Sequence, residues 1–350
     1  MRSYTAFRLN GRSRCGDQHQ LPLCAVTLQV SVVIPTRNRS ALLAMTLRSV
    51  LRQQRVDLEV IVVDEASTDD TASTLAGVTD TRLRNIRHDT AQGLSAARNH
   101  GAYEARGQWL AFVDDDDLWA PDKLVAQIEA AEQTARDWVY TGSVNIEGWQ
   151  IVHSRPPLPP EDTVAALPRY NAIPGGGSNV MWRRNMWMSV GPFDTRFRGG
   201  EDWEMSIRSA RHGPPAWVRR PLIAKQVHET NMFLNISEIM RAIRLIEELH
   251  HTRVDWGRVH RWLAERYLRS GQRRAALAQL AMAAMKGQLG GVAEDLSRLV
   301  VRRLYRYAAV SPRPTEAIID PWAAEAAAWL RELQAACPPS GASNRRVDAS

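Results

Sequence analysis

The chain has 350 residues, of which 44% are hydrophobic and 24% charged, and its formal net charge is +7. This length predicts about two domains with a substantial core. Cys15, Cys24 and Cys337 show no paired spacing, so neither a zinc site nor a disulfide framework is expected, which favours a reducing compartment. No run of about 18 apolar residues and no apolar signal-peptide core is present, so we expect a cytoplasmic protein that does not span a membrane.

The first predicted elements alternate between strands and helices. Residues 1–26 are expected to form an irregular extension. The β-branched run at 30–38 predicts a strand, and the apolar spacing that follows predicts a helix over 40–53. A second apolar run predicts another strand over 58–63. This order is typical of a parallel sheet with helices packed on it.

Asp64 directly follows the second predicted strand. The carboxyl ends of parallel strands are where ligands bind, so a carboxylate at this position could accept hydrogen bonds from a base or a ribose. The alternative is an ordinary loop or capping role for Asp64.

The most informative motif is a run of four aspartates at 114–117, directly after an apolar strand predicted over 109–113. Adjacent carboxylates repel one another, so a folded chain keeps them where a divalent cation, solvent or hydrogen-bond donors compensate their charge. Mg²⁺ and Mn²⁺ suit such a short cluster, because water and phosphate oxygens complete their coordination shell. A solvated acidic turn is the alternative.

The next segment carries further elements and two candidate functional motifs. A helix over 122–134, a strand at 138–140 and a proline-rich loop at 156–160 are expected. Three glycines at 175–177 predict either a close backbone approach to a substrate or a plain flexible loop. Asp202 precedes a predicted helix, where it is either a functional carboxylate or a helix cap.

Long helical patterns replace the alternation after residue 235. They predict helices over 236–251, 258–270, 272–286 and 292–308. Residues 236–310 contain 14 Lys and Arg against 7 Asp and Glu, so the positive charge of the chain is concentrated there. A basic amphipathic stripe from Leu296 to Arg306 could dock on an anionic bilayer; the alternative is a helical region packed on the core with solvated arginines. No nucleic-acid module is recognisable, so no nucleic-acid partner is expected.

As an ordered set, these motifs resemble those of family 2 glycosyltransferases with the GT-A fold. The segments that carry the resemblance are VVIPTRNR at 32–39, VVDEASTD at 62–69, GLSAARN at 93–99, DDDDLW at 114–119, GGGSN at 175–179 and GEDWE at 200–204. They occur in the family's order and approximate spacing over residues 28–232. Each piece alone is a weak signal, but the ordered set is specific.

The resemblance implies an α/β fold with a GT-A, Rossmann-like mixed sheet flanked by helices over 27–235. An α-helical C-terminal region over 236–335 and a tail at 336–350 would follow. The implied reaction transfers a sugar from a nucleoside diphosphate sugar to a hydroxyl of a glycan or lipid-linked acceptor, with inversion at the sugar carbon. A peripheral contact with the inner face of the membrane would use the basic helical region.

The same resemblance implies a divalent cation, Mg²⁺ or Mn²⁺, held by Asp114 and Asp116, with Asp116 as the direct ligand. His228 would be a third ligand, and a structural role for this histidine is the alternative. Asp117 would orient the sugar or support the ligands, and Asp115 would point away from the cation.

The donor is expected to contact residues at the ends of the predicted strands and on the helix that follows the GLSAARN segment. By resemblance these are Pro35, Thr36, Arg37, Asp64, Arg98, Asp114 and Asp115. A surface position for Arg98 is the alternative, since arginine is abundant in this chain. Asp202 is expected to be the general base that takes the proton of the acceptor hydroxyl, and Glu201 to position the acceptor or its loop.

Two other classes of protein share parts of this pattern. A phosphatase with an aspartate nucleophile also presents an Asp-x-Asp sequence, but it places the nucleophile after the first strand, where this chain has Thr36 and Arg37. A non-catalytic nucleotide-sugar or metal-binding module would keep the aspartates but need no base. For a calcium loop, Trp119 stands where a glycine is required. Asp202 therefore distinguishes an enzyme from a binding module.

Overall fold

The computed structural model describes residues 28–227, 236–293, 295–296 and 321–336. Within these ranges, nine strands form one mixed sheet. The strands are β1 (Val30–Thr36), β2 (Leu58–Asp64), β3 (Leu83–Arg87), β4 (Trp109–Phe112), β5 (Asp117–Trp119), β6 (Trp138–Glu147), β7 (Gln150–Arg155), β8 (Met181–Arg183) and β9 (Ala216–Gln226). The α/β fold class predicted from the sequence is confirmed.

The strand order is β3-β2-β1-β4-β8-β6-β9-β5, with β7 paired to β6. Strands β3, β2, β1 and β4 run parallel, so the carboxyl ends of β1, β2 and β4 meet at one edge of the sheet. Strand β8 runs antiparallel between β4 and β6, and β5 pairs antiparallel with β9. The β5–β9 pair sets Asp117 opposite Lys225, just after the turn that leaves β4.

Seven helices of the described residues flank this sheet. They are α1 (Ser40–Leu51), α2 (Thr71–Ala76), α3 (Leu94–Glu104), α4 (Lys123–Thr134), α5 (Pro160–Ala166), α6 (Arg184–Val190) and α7 (Glu201–Ala210). Alternate residues of β1 point to opposite faces, as in any strand. Val32 joins a hydrophobic cluster with Leu43 and Leu47 of α1, whereas Val33 joins a second cluster with Ala102 of α3. Helices therefore cover both faces, as the resemblance implied.

Further helices follow the sheet, among them α8 (Ile236–His250), α9 (Trp256–Arg269), α10 (Arg273–Met285) and α11 (Pro321–Ala335). Helix α8 buries Ile243 and Ile246 in the cluster that contains α3, and α11 buries Trp329 in the cluster on the other face. The helical region thus packs on the sheet, which is the alternative that the sequence left open. Of the basic stripe, only Leu296 lies among the described residues. No helix in the described ranges is both long and apolar enough to cross a membrane.

Two details of the predicted elements are wrong. The strand expected at 138–140 continues to Glu147, because its residues pair with β7, β8 and β9. The proline-rich run at 156–160 does not remain irregular throughout, since α5 begins at Pro160. Proline suits the first position of a helix, where its fixed φ is helical and its missing N–H has no partner to lose.

Gly101 lies where α3 approaches the sheet most closely. A Cβ at this position would overlap Cγ1 of Val33 on β1. We therefore expect Gly101→Ala to lower the free energy of unfolding by about 1–3 kcal/mol through overpacking, measured by urea or thermal unfolding. Gly77→Ala is the matched control, because a Cβ there would meet nothing nearer than 3.5 Å. Equal stability of the two variants would contradict this packing.

Candidate active site

The four consecutive aspartates diverge after β4. Asp114 is partly exposed, and the three aspartates that follow it are buried. Asp115 turns toward the end of β1, where Thr36 Oγ1 donates a hydrogen bond of 2.7 Å to its Oδ2. Its Oδ1 accepts a hydrogen bond of 3.1 Å from Arg39. Both carboxylate oxygens of Asp115 are thus bound by protein side chains.

Asp114, Asp116 and Asp117 form a cluster of carboxylates. One oxygen from each lies within 4.8 Å of the other two. Three carboxylate oxygens at this spacing are a donor set that fits Mg²⁺ or Mn²⁺, which leave the remaining positions to water or phosphate. Asp117, predicted only to support the ligands or orient the sugar, belongs to this cluster.

Arg39 and Lys225 partly compensate the charge of this cluster. Arg39 donates to Asp116 Oδ2 over 2.9 Å. Lys225 Nζ lies 3.3 Å from Asp117 Oδ2 and 3.6 Å from Asp114 Oδ2. Both cations come from other parts of the chain, α1's preceding loop and β9, so the fold itself assembles the charge balance.

Burial and neighbouring charge shift the acidity of the aspartates. Burial raises the pKa of Asp117 to about 7, with Lys225 opposing the shift and the neighbouring aspartates adding to it. Burial also raises the pKa of Asp115 to about 6. For Asp114, burial acts in the same direction, but Arg98 and Lys225 outweigh it and hold its pKa below the ordinary value. A divalent cation among these carboxylates would favour their ionised forms and so oppose the effect of burial.

Arg98 joins the aspartate cluster to the Glu-Asp motif at 201–202. Its side chain is 1% exposed, and its two terminal nitrogens donate to Asp114 and to Glu201. Burial alone would lower the pKa of the guanidinium, but the two carboxylates outweigh burial and raise it. Arg98 is therefore not a surface residue, and Glu201, which is buried as well, binds it directly.

Asp202 is the second residue of α7, and Gly200 occupies the N-cap position. Asp202 therefore does not occupy the N-cap position of α7. Its Oδ1 accepts a hydrogen bond of 2.8 Å from the Trp203 backbone N–H. A Cβ at Gly176 would lie 2.5 Å from the other carboxylate oxygen, so a glycine there leaves room for Asp202 beside the glycine segment. The φ of +61° at Gly176 also favours glycine.

A cavity of about 380 Å³ collects most of the predicted site residues. Those that line it are Pro35, Thr36, Arg37, Arg98, Asp114, Asp115, Asp116, Glu201 and Asp202. Asp64 is not among the described residues that line the cavity, whereas the next residue, Glu65, is. Asp64 lies at the end of β2 as predicted, but its carboxylate accepts hydrogen bonds from the Ser67 backbone and from Arg87. His228 lies outside the described residues.

Sequence reasoning missed four residues of this site. Arg39 and Lys225 are the cations described above, and Ser178 Oγ accepts a hydrogen bond of 3.0 Å from the Asp114 backbone while donating to Asp117. Glu65 Oε2 accepts the backbone N–H groups of residues 92 and 93 over 2.7 and 2.6 Å. Arg39, Glu65 and Ser178 stand inside quoted motifs and Lys225 stands outside them, but only the folded chain shows the partners of all four.

Comparison with known proteins shows the family. The model described as Glycosyl transferase family 2 matches residues 31–198. A PGL/p-HBAD biosynthesis glycosyltransferase of Mycobacterium bovis is 34% identical over 196 residues, which cover 54% of this chain and 72% of that protein. This chain belongs to glycosyltransferase family 2. The resemblance read from the sequence motifs is confirmed, and the chain is a glycosyltransferase.

One further relative and one solved structure are similar to this glycosyltransferase. The Escherichia coli protein named UDP-Glc:alpha-D-GlcNAc-diphosphoundecaprenol beta-1,3-glucosyltransferase WfaP is 30% identical over 141 residues, covering 40% of this chain and 56% of that protein. The crystal structure of S. aureus TarS 1-349 in complex with UDP-GlcNAc matches with a TM-score of 0.53 and 18% identity, covering 68% of this chain and 72% of that one. At this identity the structural match shows the shared fold alone.

Proposed function

We propose that this glycosyltransferase transfers a sugar from a nucleoside diphosphate sugar to a hydroxyl of a glycan or lipid-linked acceptor, in a reaction that depends on a divalent cation and inverts the sugar carbon. The observation that carries the proposal is one shared cavity. Asp116, a member of the carboxylate cluster, and Asp202, a carboxylate on a different element, both line it. Charge neutralisation at the donor's diphosphate and proton removal from the acceptor's hydroxyl can therefore take place in the same cavity.

The donor half of the proposal rests on the end of β1. Pro35, Thr36 and Arg37 line the cavity at the carboxyl end of a parallel strand, the usual position for a nucleotide ligand. The name of the E. coli relative specifies a uridine diphosphate sugar as donor and a sugar on undecaprenyl diphosphate as acceptor. We carry over the classes of donor and acceptor, but not that particular sugar or linkage.

The cation half rests on the three clustered carboxylates. Asp114, Asp116 and Asp117 would hold Mg²⁺ or Mn²⁺, with Asp116 as the direct ligand. When bound, the cation supplies the positive charge that stabilises the leaving diphosphate. Arg39 and Lys225 limit repulsion among the carboxylates before the donor binds.

The proposed base is Asp202, in the first turn of α7. Its Oδ1 is fixed by the Trp203 backbone N–H, and the absence of a side chain at Gly176 leaves space for the other oxygen. A carboxylate held this way can accept the proton of an acceptor hydroxyl as that hydroxyl attacks the sugar. The ion pairs of Arg98 with Asp114 and Glu201 join the aspartate cluster to the start of α7, which carries this carboxylate.

The two other classes of protein receive less support. A phosphatase would need its nucleophilic aspartate at the end of β1, and that position holds Thr36 hydrogen-bonded to Asp115. A binding module has no use for a base, whereas Asp202 lines the same cavity as the aspartates. The arrangement favours the enzyme.

A screen of nucleoside diphosphate sugars tests the proposed function. We expect one donor to release its nucleoside diphosphate in the presence of Mn²⁺ or Mg²⁺, with a loss of about a hundred-fold or more when a chelator removes the cation. Release of nucleoside diphosphate is measured as hydrolysis of the donor, with water taking the sugar in place of the acceptor, so the acceptor need not be known. Equal release with and without chelator would contradict the metal dependence, and no release from any donor would contradict the donor class.

A further inference from the structure

A second concavity, of about 730 Å³, opens beside the active-site cavity. It lies between the loop at 194–200 and helix α8. We name it the arginine groove and define it by Arg196, Arg198, Met240, Arg241, Arg244 and Glu248, which line it. Four guanidinium groups and one carboxylate face this concavity, so its lining carries a net positive charge.

Most of this positive charge is uncompensated within the described residues. Arg196 forms an ion pair with Asp194. Arg198, Arg241 and Arg244 are exposed and have no ion pair with any described residue. Arg241 and Arg244 are three residues apart on α8, so they share one face and repel each other. A bound anion would relieve this repulsion.

The groove adjoins the active-site cavity. Thr195 and Arg198 line both. Helix α8 also runs from one to the other, because Glu238 and Ile239 line the active-site cavity and the next turn lines the groove. The residues at the end of β1, which we assign to the donor, do not line the groove. A molecule whose hydroxyl reaches Asp202 can therefore extend into the groove without occupying the donor position.

We infer that the arginine groove binds a phosphate or diphosphate group of the acceptor, attached close to the hydroxyl that attacks. The inference rests on the proposed function, since it assigns the acceptor to the side of the cavity that carries Asp202. Guanidinium groups bind phosphate oxygens through two parallel hydrogen bonds, so exposed arginines on facing elements suit this anion. Met240 and Leu245 add apolar surface for the rest of the acceptor.

The test uses the full chain and inorganic diphosphate, with the donor position filled by a saturating nucleoside diphosphate. Arg241→Gln/Arg244→Gln should weaken diphosphate binding by about ten-fold or more in titration calorimetry, because two charge-assisted contacts are lost. Arg273→Gln/Arg274→Gln on α10 is the matched control, since it removes the same charge from exposed positions outside the groove. The control should bind diphosphate as the wild type does.

Two results of the binding test would overturn the inference. One is the absence of diphosphate binding to the wild type under these conditions, and the other is equal weakening in both double variants. Vesicles of phosphatidylglycerol form a second arm. If the wild type binds vesicles but not soluble diphosphate, and the groove variant loses the vesicles, the groove contacts a lipid surface and the inference is wrong.

A kinetic test connects the groove to the acceptor. Once donor and acceptor are identified, the groove variant should raise KM for the acceptor about ten-fold while KM for the donor changes by less than about two-fold. Equal increases in both KM values would overturn the assignment to the acceptor. Failure of the donor screen would overturn the proposed function instead, because diphosphate binding to the groove requires no turnover.

Discussion

Replacing Asp116 with Asn is expected to reduce metal-stimulated sugar transfer by about a hundred-fold or more, with the fold intact. The carboxylate of Asp116 belongs to the cluster whose oxygens lie within 4.8 Å of one another. Asn keeps one oxygen but loses the negative charge, so the cation is held less tightly against the leaving diphosphate. The measurement is the rate of nucleoside diphosphate release as the Mn²⁺ or Mg²⁺ concentration is raised.

Stability should change little in this variant. Asp115 continues to hold Arg39 over 3.1 Å, so the guanidinium is not left without a carboxylate. Removing one of several adjacent negative charges also lowers their mutual repulsion. Asp89→Asn, at an exposed position outside the cavity, is the matched control and should transfer sugar normally. Full metal-stimulated activity of Asp116→Asn would show that the cation is held elsewhere.

The sequence predicted the position of the aspartates because that position depends on local patterns. Apolar runs mark β1, β2 and β4, and parallel strands bring their carboxyl ends to one edge. Whatever follows each run must then lie at that edge. Thr36, Asp64 and Asp114 can therefore be placed at this edge without any knowledge of long-range contacts.

The partners of these residues could not be predicted in the same way. Lys225 reaches Asp117 only because β9 pairs with β5 in one register, and no local pattern specifies that register. Asp64 illustrates the same limit. The position of Asp64 at the edge followed from the strand. However, Arg87 of β3 donates a hydrogen bond to Asp64, and the neighbouring Glu65 lines the cavity instead. A carboxylate at the ligand edge is therefore a candidate until its partners are known.

The Glu-Asp motif shows a different limit, because a helix boundary decided between two interpretations. Sequence alone left Asp202 as a base or a cap, since aspartate favours the position before a helix. The structure begins α7 at Glu201, with Gly200 at the N-cap and a φ of +80° there. Glycine adopts that conformation at no steric cost. The N-cap position is therefore filled by Gly200, and Asp202 lies within the first turn.

Asp202→Asn is expected to reduce sugar transfer by about a hundred-fold or more while donor affinity stays within a few-fold. A general base acts on the proton that moves in the transition state, and the amide of Asn cannot accept it. The Oδ1 of Asn can still accept the Trp203 N–H that Asp202 accepts now, so the melting temperature should be nearly unchanged. Asp70→Asn, at the N-cap of α2, is the matched control and should leave transfer unchanged.

Measuring transfer rate, donor affinity and melting temperature on this variant separates three interpretations. Lost transfer with retained affinity and stability supports Asp202 as the base. Lost transfer together with lost donor affinity would instead make Asp202 part of the donor site, and the acceptor would then approach from another side. Unchanged transfer would place the base elsewhere, and the arginine groove would then no longer lie on the side of the cavity where the acceptor's hydroxyl is activated.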